Sequence, residues 1–337
     1  MKAAIVWDEA YLEHEMGEHP EGGDRLSHIV DHLASTDLWS RLRVVRPAAA
    51  SVADVLTVHT STYVDLVRTA AEGGGRWLDA DTFVSPRTFD IALLAAGGTL
   101  DTLKGWEQAT ATFALVRPPG HHATPDRAMG FCIFNNIAIA ARRLLAQGVE
   151  RVAIVDWDVH HGNGTQAVFI DDPRVLYVSL HQWPLYPGSG WFSETGVGAG
   201  RGYTVNVPLP PGCCDGDYAH AFAALVEPIV AAFDPQALLV SAGQDPHVDD
   251  PLASMSLTDD GFAHMAVRVL ELAHEHCEGR LALTLEGGYE RQATARSVAA
   301  ILRAILDEEA PAVSGETERA TTAIEQAVAI QREFWPV

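Results

Sequence analysis

Eight short runs, several of them nearly all apolar, spaced by longer amphipathic stretches, are what most restricts the folds open to this chain. The runs are Ala3–Trp7, Leu42–Val45, Thr112–Val116, Arg151–Asp156, Val175–Leu180, Tyr203–Val207, Ala237–Ser241 and Leu281–Leu285. A strand that is apolar on both alternating faces has to be covered on both, which is the situation of a parallel sheet between helical layers. Helical patterns fill the intervals: Leu26–Ala34, Ser61–Ala71, Thr88–Leu103, Ile137–Ala146, Asp217–Ala232, Asp260–His276 and Ala293–Leu306. Strand alternating with helix predicts an α/β chain with an open parallel sheet and helices on both sides. No Pro/Gly linker divides it. The polar stretch Ala310–Glu316 leads only into a last helix, Thr317–Glu333, so residues 1–337 read as one domain.

The polar residues cluster where these runs end. Arg117-Pro118-Pro119-Gly120-His121-His122 follows one, and Asp156-Trp157-Asp158-Val159-His160-His161-Gly162-Asn163-Gly164 follows another. Ser241 to Pro251 and Glu286-Gly287-Gly288-Tyr289 follow two more. The carboxyl edge of an open α/β sheet is where sites form.

Composition removes several function classes. With 45 acidic against 23 basic residues the formal charge is −22, which argues against a nucleic-acid partner. The same charge suits a small cationic substrate. No apolar run approaches the roughly 18 residues of a membrane span, and the expectation is a cytoplasmic protein without a membrane partner. Cys132, Cys213, Cys214 and Cys277 form no CxxC pair, so neither a disulfide framework nor a cysteine metal site is indicated.

Asp156, Asp158 and His160 alternate, so in an extended segment Asp158 and His160 share a face and are able to hold one cation. Asp250 is the best candidate for a third ligand. Two carboxylates and an imidazole suit Zn²⁺ or Fe²⁺ and leave a position for water or substrate. His121 and His122 follow a rigid Pro-Pro-Gly turn and suit a general base with a charged neighbour. Asp156 and Asn163 are available to orient them. Tyr289, after two glycines, suits a donor to a developing oxyanion. No GxxxxGK[ST] loop, HExxH helix or GxSxG elbow appears.

In RPPGHHA (117–123), GFCIFNN (130–136), VDWDVHHGNGTQ (155–166), SLHQ (179–182), YPGSG (186–190), the stretch 241–252 and LEGGY (285–289), the chain resembles the histone deacetylase superfamily. The resemblance is strongest to its class II branch, bacterial histone deacetylase-like amidohydrolases and acetylpolyamine amidohydrolases. It implies a three-layer α/β/α arginase–deacetylase fold with an eight-stranded parallel sheet. It also implies zinc held by Asp158, His160 and Asp250, with His122 as general base and His121 as its electrostatic partner. Asp156 and Asn163 would orient His121 and His122, and Tyr289 would stabilise the oxyanion. Phe131 and Tyr186 would wall an acyl-chain tunnel, with Asp81 on its rim, Leu252 beside it and Arg25 beneath it. Two structural K⁺ sites are implied. One involves Asp156, Asp158, His160, Ser179 and Leu180, and the other Phe169, Asp172, Val175 and Tyr203.

The family usually has Phe at Gln244 and Ala at Pro246, and the Glu that marks a polyamine-selective branch is absent at Leu252. The implied activity is removal of an acetyl group from acetyl-lysine or a small cationic N-acetylated amine. An acetylpolyamine-restricted enzyme and a non-catalytic acetyl-ligand module stand as alternatives. An arginase-like ureohydrolase would need DxHxD, where this chain has Gly162. A homo-oligomer is compatible with the sequence.

Overall fold

The structure is a computed structural model that describes residues 3–107, 109 and 111–337. All eight apolar runs form strands. They are β1 (Ala3–Val6), β2 (Arg43–Val45), β5 (Ala111–Ala114), β6 (Val152–Asp156), β7 (Val175–Gln182), β8 (Thr204–Leu209), β9 (Ala237–Ala242) and β10 (Leu281–Leu285). They build one parallel sheet in the order β2-β1-β5-β10-β9-β6-β7-β8. β3 (Arg76–Trp77) and β4 (Phe83–Val84) form a separate antiparallel pair.

Alternation along each central strand divides the core in two. Ala153 and Val155 of β6, with Leu238 and Val240 of β9, face one helical layer, which includes Asp259–His276 and Arg291–Asp307. Val152, Ile154, Ala237 and Leu239 face the other, which includes Ser61–Glu72 and Asn136–Ala146. Each fully buried Val, Leu or Ile contributes about 1.5–3 kcal/mol, so a sheet covered on both faces holds the site edge rigidly. The arrangement is the three-layer α/β/α fold expected.

Two helical details differ from the sequence reading. The expected helix Asp217–Ala232 is broken into Asp215–Ala221, a π turn Phe222–Val226 and Glu227–Phe233. Pro228 has no N–H to give to the preceding turn, which favours the wider winding there. A short helix, Asn163–Phe169, starts inside the DxHHGNG segment. It escapes a periodicity reading because it has only seven residues, one of them Gly164.

Candidate active site

Strand register brings the polar segments to one level. Asp156 lies opposite Ser179 on β7 and Ser241 on β9; Ser241 lies opposite Thr284 on β10, and Thr284 opposite Ala114 on β5. Four adjacent strands, β5, β10, β9 and β6, therefore end at one level, with β7 running three residues further, and the residues that follow converge on one edge.

Asp158, His160 and Asp245 offer ligand atoms that all lie within 4.8 Å of one another. His160 Nδ1 is 3.2 Å from Asp158 Oδ1 and 3.0 Å from Asp245 Oδ2. Burial disfavours a charged His160, yet the two carboxylates outweigh it and raise its pKa to about 10. A cluster of this type, with two carboxylates crowded around one imidazole, fits a divalent cation. Asp250 stands outside this trio. Its Oδ1 accepts the Leu252 amide (2.9 Å) and its Oδ2 those of Tyr289 (2.6 Å) and Glu290 (3.3 Å). It is close enough for its charge to help raise Asp245, whose carboxyl is pushed up to about 7 mainly by burial and by Asp158.

The tandem histidines lie 4.1 Å apart between ring centroids, tilted by 44°, and take different partners. His121 Nδ1 is 3.1 Å from Asp156 Oδ2, an oxygen that also accepts the Tyr177 hydroxyl at 2.9 Å. Burial opposes charge on His121, but Asp158 and Asp156 prevail and lift it to about 10. His122 Nδ1 is 2.8 Å from the Asn163 amide oxygen. Burial and the neighbouring charges of His121 and His160 hold His122 well below its ordinary pKa. Gly162 is enclosed: a Cβ there would lie 2.2 Å from Asp156 Oδ2 and 2.4 Å from the Tyr177 hydroxyl. A DxHxD aspartate has no room at this position.

Tyr289 is held from three sides. The Arg25 guanidinium lies 5.0 Å from its ring centroid, Phe131 meets it edge-on at 5.6 Å, and its amide is fixed by Asp250. Burial and the Asp245 charge keep its hydroxyl protonated. Arg25 is fully buried and donates to the Gly288 and Glu286 carbonyls and to Glu21. Phe131 has φ +68°, a conformation that costs a non-glycine residue about 1–3 kcal/mol. Neighbours restrain it: Phe131 N donates to Thr82 Oγ1 (3.0 Å) and Gly130 N to Asp81 Oδ1 (3.2 Å). Tyr186 meets the His122 ring at 5.2 Å and remains 38% exposed. Leu252 is half-buried just beyond Asp250.

Of the residues expected around K⁺, Ser179 and Leu180 are buried on β7 beside Asp156. In the second set Phe169 and Val175 are buried, while the Asp172 carboxylate is taken by Arg142 and Arg174, each at 2.8 Å. The Tyr203 carbonyl accepts the Tyr177 amide at 2.9 Å.

Several residues around the site were not singled out from sequence. Asp245 is one, and Tyr177 another. Glu286 is a third: one oxygen accepts the amides of Gly120 (2.7 Å) and His121 (3.1 Å) and the other the Ser241 hydroxyl, which fixes the histidine turn. His121, Cys132 and Glu286 also sit within 4.8 Å of one another. Burial and the Glu286 charge keep the Cys132 thiol protonated, which unsuits that group for metal. The four cysteines are free.

The chain matches the histone deacetylase domain family model over residues 19–305. It is 47% identical over 294 residues to a probable deacetylase of Archaeoglobus fulgidus, covering 86% of this chain and 82% of that protein. It is 42% identical over 277 residues to the histone deacetylase-like amidohydrolase of Pseudomonas aeruginosa, covering 81% and 72% respectively. Among solved structures it is similar to the HDA15 HD domain, with a TM-score of 0.94 and 37% identity over 99% of this chain and 95% of that one.

Proposed function

Because the chain belongs to the histone deacetylase family, we propose that it is a zinc-dependent deacetylase hydrolysing the amide of N-acetylated primary amines. The observation that carries this reading is the tandem pair, with a carboxylate partner for His121 and an amide partner for His122. The Asn163 amide oxygen accepts only from an N–H, so Nδ1 of His122 holds the proton and Nε2 is the free base. His122 takes the proton of the attacking water through that nitrogen. His121, held by Asp156, supplies a positive neighbour, and one of the two rings returns a proton to the departing amine. Tyr289 donates its hydroxyl to the carbonyl oxygen as negative charge builds there.

Asp158, His160 and Asp250 are the residues assigned to the metal. Asp245 is fully buried behind them with its oxygens on the Val159 amide and the His160 ring, whereas Asp250 lies on the Tyr289 side of the site. A divalent ion there supplies Lewis-acid polarisation of the amide and lowers the pKa of water towards about 7. Fe²⁺ suits the same donors. Backbone carbonyls near Ser179, Leu180, Phe169 and Val175 are the proposed K⁺ ligands.

The direct test is release of amine from a fluorogenic acetyl-lysine substrate and from an acetylated diamine, with chelator and after zinc is restored. Activity lost to chelator and regained with zinc is expected. No turnover of either substrate by the metal-loaded protein overturns the reading. Metal content is a second check. About one ion per chain is expected, lost in His160→Ala and Asp250→Ala with the fold retained, since a core of this size does not depend on the metal. Metal retained by Asp250→Ala but lost by Asp245→Asn reassigns the third ligand, and two Mn²⁺ per active chain points to the ureohydrolase class.

Phe131 and Tyr186 form a slot for an aliphatic stem, with Asp81 and Asp79 both close enough to Tyr186 to act on its hydroxyl. Stem burial gains a few kcal/mol at about 25 cal/mol per Å². Tyr186→Ala is therefore expected to raise KM for short stems more than it lowers kcat. The −22 charge and the rim acids favour cationic amines, so kcat/KM should fall as salt rises. A salt-independent kcat/KM with a neutral amide as best substrate removes the cationic preference.

A further inference from the structure

His161 directly follows the ligand His160, and neither it nor the equally buried His181 has a part in the chemistry above. Both point at the segment that carries Tyr186. His161 Nδ1 is 2.9 Å from Ser189 Oγ, and His181 Nε2 is 2.9 Å from the Gly190 carbonyl. The Gly190 backbone is seated between the two rings: a Cβ there would lie 2.6 Å from each, at a φ of +89°. Glu194 closes the arrangement. Its Oε1 accepts the amides of Gly190 and Trp191, both at 2.9 Å, and its Oε2 accepts Gln166 Nε2 at 2.7 Å. Gln166 belongs to the helix that begins at Asn163, the partner of His122, and its Oε1 contacts His161 Nε2 at 3.0 Å and Asn206 Nδ2 at 2.8 Å.

One acidic side chain thus ties the Tyr186 segment to the helix that positions the base. We propose that Glu194 is a specificity-determining positioning residue: through Gln166 and the Gly190 and Trp191 amides it fixes the Tyr186 wall and so sets the width of the substrate slot. This rests on the deacetylase reading for the slot's use. The physical argument is the concentration of constraints. The segment between Trp183 and Glu194 carries an exposed Tyr186, which meets the His122 and His160 rings; Phe192 anchors the segment in the core, and Trp191 lies against Trp183 and Phe192 at 5.1 and 4.8 Å between rings. Its polar attachments to the site side run through His161, His181, Gln166, Asn206 and Glu194, and among these Glu194 accepts two consecutive amides. Removing a charged acceptor from two amides and an amide side chain frees the wall without touching the reacting groups.

The test uses the full-length protein with Glu194→Ala and Glu194→Gln. Glutamine keeps an oxygen for the two amides, so it is the conservative rescue. Amide hydrogen exchange reads the clamp without any need for activity. The Gly190 and Trp191 amides are expected to exchange at least about 10-fold faster in Glu194→Ala, with β6 unchanged and most protection regained in Glu194→Gln. Kinetics read the slot. The KM of a linear N-acetyl amine should rise about 10-fold, its advantage over a methyl-branched stem should shrink by a similar factor, and kcat should stay within about threefold.

Unchanged exchange at Gly190 and Trp191 overturns the clamp. Faster exchange with unchanged stem discrimination overturns its link to specificity. Lack of any amidase activity in the unmodified protein refutes the reading on which the slot's use rests, and the exchange result then decides the clamp alone.

Discussion

His122→Ala is expected to lower turnover by about 10²–10⁴-fold, the usual contribution of a positioned general base. The site offers no substitute for it. His121 faces Asp156, and its proton is held there by two carboxylates. His160 is bound up with Asp158 and Asp245. Only His122 has one nitrogen committed to a neutral acceptor, Asn163, and the other available to water. His121→Ala should leave more residual rate, because the base and its orienter survive that change. Steady-state kcat on the acetyl-lysine substrate checks both variants, with metal content measured alongside so that ion loss is not mistaken for loss of the base. A His122→Ala rate within a few-fold of the unmodified protein removes the general-base assignment.

The partners of these two histidines were readable from sequence because they lie in one short segment, with Asp156 and Asn163 seven residues apart in the DWDVHHGNG stretch. The eight strands were readable for a related reason. Val152–Asp156 and Leu281–Leu285 are buried on both faces, and that leaves an unbroken apolar run in the sequence. What stayed hidden is of two kinds. Glu286 and Glu194 act by accepting backbone amides, a role that imposes no spacing on the chain. Asp245 lies five residues before Asp250 in one acidic loop, and residue type alone does not tell which carboxylate turns towards His160. Asn163–Phe169 was missed as a helix for want of length, though Asn163 itself was picked out by its motif.

Tyr289→Phe should lower kcat by about 10²–10³, equivalent to about 3–4 kcal/mol, the typical cost of losing one oxyanion donor. The substitution is well suited to isolating the hydroxyl. The ring is held by the Arg25 guanidinium on its face and by Phe131 at its edge, and both contacts persist with phenylalanine. The backbone amide stays on Asp250, so the assigned metal ligand is not released. On the proposed reading, ground-state contacts with the substrate stem are assigned to Phe131 and Tyr186, and KM should accordingly change by no more than a few-fold. In the proposed role the hydroxyl acts only once the carbonyl oxygen gathers charge, which is why its removal is expected in kcat rather than in binding. Arg25→Ala separates support from chemistry: it withdraws the face contact and the hydrogen bonds to Gly288 and Glu286 that shape the Gly-Gly-Tyr turn, and it should disturb the protein's stability as well as its rate. If Tyr289→Phe retained kcat within a few-fold of the unmodified protein while metal stayed bound, the oxyanion role would pass to another donor and the Tyr289 ring would count only as a wall of the slot.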